Sequence, residues 1–170
     1  SAEFPYNTYL CSIPLDFPGV PLHWHDELEL VVIKRGQGFV SVDFDKRLVH
    51  SGDIIIIPPR CLHAIEQDDT FKMEYENIIF KPDLLSSGAN DLCMIQYIVP
   101  LLDGSLPIEY FLTPALGSFE ALSNCIRQID LVCADQTPGW QLAVKSSLFN
   151  FFFLLISERR KSLYRKTNDR

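Results

Sequence analysis

The sequence predicts a mostly β domain with helices on its C-terminal side, and three observations predict it. Between residues 20 and 80, short apolar runs are separated by Gly, Pro and Asp turn signals at intervals of roughly 8 to 15 residues, the spacing of a sandwich or barrel. After Pro82 the apolar period changes from two to about 3.6. At 170 residues, 47% of them hydrophobic, the chain can bury one full core.

Residues 1–83 are expected to form the β unit, beginning with an N-terminal arm. "EFPYNTYL" carries Phe4, Tyr6 and Tyr9 ahead of the first strong strand signal. "HWHDELELVVIKRGQG" then reads as a strand running into a glycine turn. "FVSVDF" alternates, with Phe39, Ser41 and Asp43 on one face and Val40, Val42 and Phe44 on the other. "GDIIIIPP" is a buried strand closed by two prolines, and "MEYENIIF" places Met73, Tyr75 and Asn77 opposite Glu74, Glu76 and Ile78.

Residues 84–165 are expected to be helical, with some further strand in 105–112. "ANDLCMIQYIVPLLDG" reads as a short helix broken at Pro100. Leu116, Phe119, Leu122, Ile126, Ile129 and Cys133 recur at helical spacing behind Thr113-Pro114, an N-cap followed by a first-turn proline. "TPGW" ends that helix and starts another, whose "SLFNFFFLLISERR" is apolar around most of its circumference and finishes in cations suited to a C-terminus. Such a helix must be covered. Leu148, Phe152 and Leu155 are therefore candidates for a homodimer interface, and packing within the chain would use the same side chains.

Charge and cysteines narrow the function classes. Residues 159–170 hold six of the 15 basic residues and one of the 22 acids, which leaves nine bases against 21 acids before them. A body that acidic repels phosphate backbones, so any nucleic-acid contact is expected from another part of the protein. The five cysteines form no CxxC pair, which argues against a disulfide framework and a cysteine zinc knuckle and fits a reducing cytoplasm. No uninterrupted apolar run of about 18 residues marks a membrane span. Neither a Ser-His-Asp arrangement nor a phosphate-binding glycine loop stands out, so no catalytic residue is assigned.

Chemistry concentrates in the histidines. Three of the four lie in "HWH" and "CLH". In an extended strand His23, His25, Glu27 and Glu29 share a face. Imidazoles with a carboxylate suit Zn, Ni, Mn or Fe, and the same groups equally suit hydrogen bonds to a ligand or to strand carbonyls.

"HWHDELELVVIKRG" resembles the first cupin motif, and "GDIIIIPPRCLH" the second, with Arg60 where that motif usually has glycine and Gln67 where it often has asparagine. The resemblance implies a cupin barrel (a double-stranded β-helix, or jelly roll) followed by a helical dimerisation segment, with His23, His25, Glu29 and His63 as metal ligands. The order of these motifs, "YENIIFKPDLL", and an apolar helix ending in a basic stretch is similar to the N-terminal sensing domain of AraC-type bacterial transcriptional regulators. That implies a small-molecule effector, often a sugar, with Tyr75 and Asn77 beside the four motif residues in its site. Phe4, Tyr6 and Tyr9 become candidate lid residues, although an edge strand would use them too. It also implies a linker beginning in 166–170 and DNA binding through a C-terminal helix-turn-helix domain beyond this chain. The alternative is a metal-dependent cupin enzyme, a dioxygenase or isomerase. Some 85 residues of helical sequence after the barrel favour the regulator.

Overall fold

One long strand, β3 (Leu28–Val42), belongs to both sheets of an antiparallel barrel in the computed structural model, which describes residues 4–168, with side chains described through 160. Two residues of the expected linker start, 169 and 170, lie outside the described residues. The first sheet runs β1 (Tyr6–Ile13), β7 (Met73–Phe80), β3, β5 (Ile54–Ile57) and β8 (Phe111–Leu112). The second joins β2 (Gly19–His23), β6 (His63–Gln67), β3 and β4 (Asp45–His50). Every pairing is antiparallel.

β3 passes between sheets at its glycines. Gly36 has φ +76°, and a Cβ there would lie 1.8 Å from the Lys72 carbonyl oxygen, so β7 approaches more closely than any side chain permits. Residues before it pair with β5 and β7, and residues after it with β4 and β6. Strand alternation then puts Glu29, Val31 and Ile33 on one face. Val31 and Ile33 meet Val40, Val42, Val49, Ile55, Ile57, Ile65, Met73 and Tyr75 in a core whose members are at most 7% exposed. Fold class agrees with the sequence reading: mostly antiparallel β followed by helices.

Three local expectations are corrected. Phe44 does not share the face of Val40 and Val42. Val42 pairs with Asp45, so Asp43 and Phe44 form a two-residue hairpin turn with φ +50° and +68°, and Phe44 is 73% exposed. Pro100 does not break a helix. A π turn (Met94–Ile98) runs straight into α1 (Val99–Leu102), with the Val99 N–H bonded to the Met94 carbonyl, so the chain stays helical through Pro100 where the wider turn interrupts the regular ladder. The next helix, α2 (Phe119–Asp135), starts beyond Thr113-Pro114. Residues 114–118 turn first, with the Phe119 N–H bonded to the Leu116 carbonyl, and Ser118 becomes the N-cap.

The chain divides into two units, Ser1–Leu84 with Tyr110–Thr113, and Leu85–Glu109 with Pro114–Arg170. In the second, α2 packs on α3 (Trp140–Asn168), with Gln136 in the left-handed region ending α2. Leu122, Cys125, Ile126 and Ile129 of α2 are buried, and the Asn150 amide donates to Cys125 Sγ at 3.4 Å. Leu148, Phe152 and Leu155, the expected interface residues, are 0%, 1% and 4% exposed within the single chain. They are core side chains and present no surface to a partner. By length and composition alone α3 could cross a membrane, but that test does not separate a span from a core helix.

Candidate functional site

The four motif residues converge at one end of the barrel, by a route different from the shared strand face. β2 ends at His23, the chain bends through Asp26 and Glu27, and β3 begins at Leu28. A continuous strand is ruled out here by local bonds. Arg60 N–H donates to the His25 carbonyl at 2.7 Å, Arg60 Nε donates to Asp26 Oδ1 at 2.9 Å, and His25 Nδ1 donates to the Glu27 carbonyl at 3.1 Å. Arg60 has φ +63°, so the glycine position of the motif keeps its left-handed backbone with a larger residue in it. His63 opens β6, directly opposite His23, with an irregularity in β2 between Val20 and His23. Glu29 enters from β3, on the layer above Val31.

One ring nitrogen of each of His23, His25 and His63 lies within 4.8 Å of the other two. Backbone carbonyls fix which nitrogen that is. Nδ1 of His23 donates to Pro21 O at 2.8 Å, that of His25 to Glu27 O, and that of His63 to Cys61 O at 2.8 Å. A carbonyl only accepts, so each Nδ1 carries the proton and each Nε2 is directed inward. Glu29 Oε2 lies 2.8 Å from His25 Nε2 and 3.2 Å from His63 Nε2. The His63 contact is close but lacks hydrogen-bond geometry, leaving a buried Nε2 without a hydrogen-bond partner.

Such an array needs a positive charge at its centre. Neutral imidazoles with protonated Nδ1 would point Nε2 lone pairs at a carboxylate. Burial pushes the Glu29 carboxyl up, but the hydrogen bond from His25 and the close approach and charge of both His25 and His63 outweigh it and bring it down to about 2. His25 is raised in turn, chiefly by its bond to Glu29 against the opposing effect of burial. A proton on His25 supplies part of the charge. A divalent cation would satisfy all four groups, and the donor set, with each ring oriented by a carbonyl, fits one.

The remaining expected residues are placed as follows. Tyr75 is 1% exposed and belongs to the barrel core, and it also lines a cavity on the β1 side. Asn77 is half-buried, opposite Val31 in register, and its Oδ1 has no hydrogen-bond partner. Phe4, Tyr6 and Tyr9 do not form an arm over the cluster. Tyr6 and Tyr9 lie in β1, paired along β7, and Tyr6 stacks on Phe80 with Phe4 beside it. The sequence reading missed Cys11, directly across from Tyr75 in register and packed on the barrel core. Only the pairing of β1 with β7 reveals it. Burial pushes the thiols of Cys11 and Cys61 up, so neither is an activated nucleophile. A cavity of about 350 Å³ is lined by Tyr75 and Cys11 together with Leu10, Ser12, Asp16, Lys34, Arg35 and Glu74.

An uncharacterized HTH-type transcriptional regulator of Bacillus subtilis (strain 168), YdeC, is 31% identical over 149 residues, 87% of this chain and 50% of the relative. A second from the same strain, YbfI, is 26% identical over 72 residues, 42% of this chain and 26% of that protein. The chain thus spans about half, or less, of the curated relatives it matches. Similar solved structures include a cupin protein from Bacteroides fragilis (24% identity, 50% of this chain and 73% of that one, TM-score 0.44). Another is a predicted oxalate decarboxylase from Thermotoga maritima (22% identity, 47% and 70%, TM-score 0.42). Residues 15–152 match the AraC-like ligand binding domain, and the chain belongs to that family.

Proposed function

We propose that the chain is the effector-sensing and dimerisation part of an AraC-type transcriptional regulator, with its ligand site at the His23, His25, Glu29 and His63 cluster. The observation that supports this reading is the convergence of four polar donors at the end of an otherwise apolar barrel, in a chain of the ligand-binding family. The four side chains would hold a divalent transition metal such as Zn, Ni, Mn or Fe, and a held metal supplies an electrophilic centre for oxygen or nitrogen ligands. DNA contact belongs to a separate helix-turn-helix domain, in keeping with the acidic body.

Homodimerisation is assigned to a different face of α3 from the one the sequence suggested. Leu142 and Phe153 are 74% and 63% exposed, with Phe149 and Ile156 half-buried. Their spacings of seven, four and three residues line them along one side of the helix. A second reading, a metal-dependent dioxygenase or isomerase, draws on the same intact cluster.

The test is effector-dependent DNA binding by the full-length protein. Retention of a promoter fragment should change with ligand in the wild type and lose that response in His25→Ala. Ligand-independent DNA binding, or substrate turnover by the isolated chain, would overturn the regulator reading.

A further inference from the structure

The cavity beside β1 lies at the opposite end of its sheet from the histidine cluster. β7 pairs Ile79 with Glu29 near one end and Glu74 with Arg35 near the other, where β1 finishes at Ile13. Glu29 is four residues before Ile33, about 13 Å along the strand, so the two sites are distinct. At about 350 Å³ the cavity has the size of a small-molecule pocket. Ile33 and Arg35 stand opposite Tyr75 and Glu74, so three residues of β3 face two of β7, and Lys34 is the extra one. A regular strand sends neighbours to opposite faces, whereas this bulge lets Lys34 and Arg35 line the same cavity. Its apolar surface comes from Leu10 and from Tyr75 and Cys11, whose hydroxyl and thiol bond each other.

Charge in the lining is balanced, with Lys34 and Arg35 against Asp16 and Glu74. Lys34 Nζ is held by Glu76 Oε2 at 2.5 Å, whereas Arg35, 81% exposed, meets Glu74 at 3.7 Å, too long for a hydrogen bond. The Arg35 guanidinium therefore keeps its donors for a planar acceptor such as a carboxylate. Across the cavity, Asp16 Oδ2 accepts the Ser12 N–H at 2.7 Å, which fixes that carboxylate and leaves Oδ1 for a cation. Ser12 Oγ, in the same wall, is buried without a hydrogen-bond partner, an unmet polar group at the site. An anion would meet Asp16 and Glu74, and a cation would meet Lys34 and Arg35. An uncharged molecule would strip water from all four and replace it with nothing.

We propose that this cavity binds a small zwitterion, of which a free amino acid with an apolar side chain is the plainest case. Its carboxylate sits on Arg35, its ammonium group on Asp16, and its side chain against Leu10 and Tyr75. β1 is the edge of its sheet, paired along β7, so a ligand bridging Asp16 and Arg35 fastens that edge across to β3. As a binding site the cavity stands apart from the regulator reading and from any metal in the cluster; only a role as effector site rests on that reading.

The experiment is calorimetric titration of the chain with L-leucine and L-phenylalanine, then with 4-methylpentanoate, isoamylamine and L-arabinose, with hydrogen exchange at saturation. Expected are one amino acid per chain and slowed exchange at 10–16 and 33–35. Binding should weaken by about 10-fold or more when leucine loses either charged group, as 4-methylpentanoate and isoamylamine do, the cost of one charge-assisted hydrogen bond. Arg35→Gln and Asp16→Asn, both at exposed positions and checked by circular dichroism, should each weaken leucine by a similar factor. Arg35→Gln should leave the residual binding of isoamylamine unchanged, and Asp16→Asn that of 4-methylpentanoate, which separates a lost contact from a damaged fold. Binding of neither amino acid overturns the proposal, and so does leucine binding that both variants retain. It also fails if 4-methylpentanoate binds as tightly as leucine, or if arabinose binds in place of the amino acids. Each of these failures leaves the regulator reading standing, because that reading is decided by the DNA-binding test.

Discussion

Burying a carboxylate beneath three imidazoles is costly unless the charges match, and Glu29 shows how closely they do. Its carboxyl lies at about 2 against an ordinary 4.5, a difference worth at most about 3 kcal/mol. A lowered carboxyl stabilises the fold above its unfolded value and loses that contribution as pH falls toward 2. A raised histidine stabilises below its unfolded value and loses its contribution as pH rises through the folded one. The metal-free cluster is therefore strongest in the window between, and Glu29→Gln should lower stability there by about 2 kcal/mol in urea denaturation. Because a metal must displace the proton on His25, zinc should raise the melting temperature more at about pH 8 than at about pH 6. An equal rise at both would mean that His25 is not a ligand. Arg60 invites a second comparison. Arg60→Gly relieves a left-handed backbone that Arg60→Ala retains, while both lose the exposed Asp26 contact. The glycine variant should be more stable by about 1 kcal/mol.

Strands and helices differ in how much of them could be read in advance. β5, β6 and β7 were legible because their side chains alternate or run apolar between prolines, glycines and aspartates. The shared face of His23, His25 and Glu29 was not, because the bend at Asp26 and Glu27 is set by Arg60, more than 30 residues away. Period alone also could not separate the two apolar sides of α3, since Phe151, Phe152 and Phe153 are consecutive and point in three directions. The structure separates them, and their substitutions should diverge. Phe152→Ala should destabilise the fold by about 3 to 5 kcal/mol, as deletion of a buried aromatic does. Phe153→Glu should leave circular dichroism and melting unchanged and convert a dimer to a monomer in sedimentation. A Phe153→Glu protein that remains dimeric would remove α3 from the interface. Gly36→Ala tests the sheet crossing, where the added methyl would lie 1.8 Å from the Lys72 oxygen, and should cost more than about 2 kcal/mol.

Charge distributed over the entire chain decides what it can do without another domain. Nine bases against 21 acids precede residue 159, and the basic run at 159–170 is too short to reverse that field. Duplex DNA binding depends on neutralising several phosphates at once, with affinity falling steeply as salt rises. The chain by itself should therefore fail to retard a promoter fragment in a gel, even at low salt. Joined to a helix-turn-helix domain it should act through geometry instead, since two such domains held by one dimer bind with an effective concentration set by their linkers. That makes Phe153→Glu informative for the full-length protein as well. Loss of the dimer should weaken binding to a two-site promoter by 10²-fold or more, roughly the avidity lost when two modules separate, and leave binding to a single half-site unchanged. Equal weakening on both targets would place the defect in the fold, and no change on either would mean that the subunits associate elsewhere.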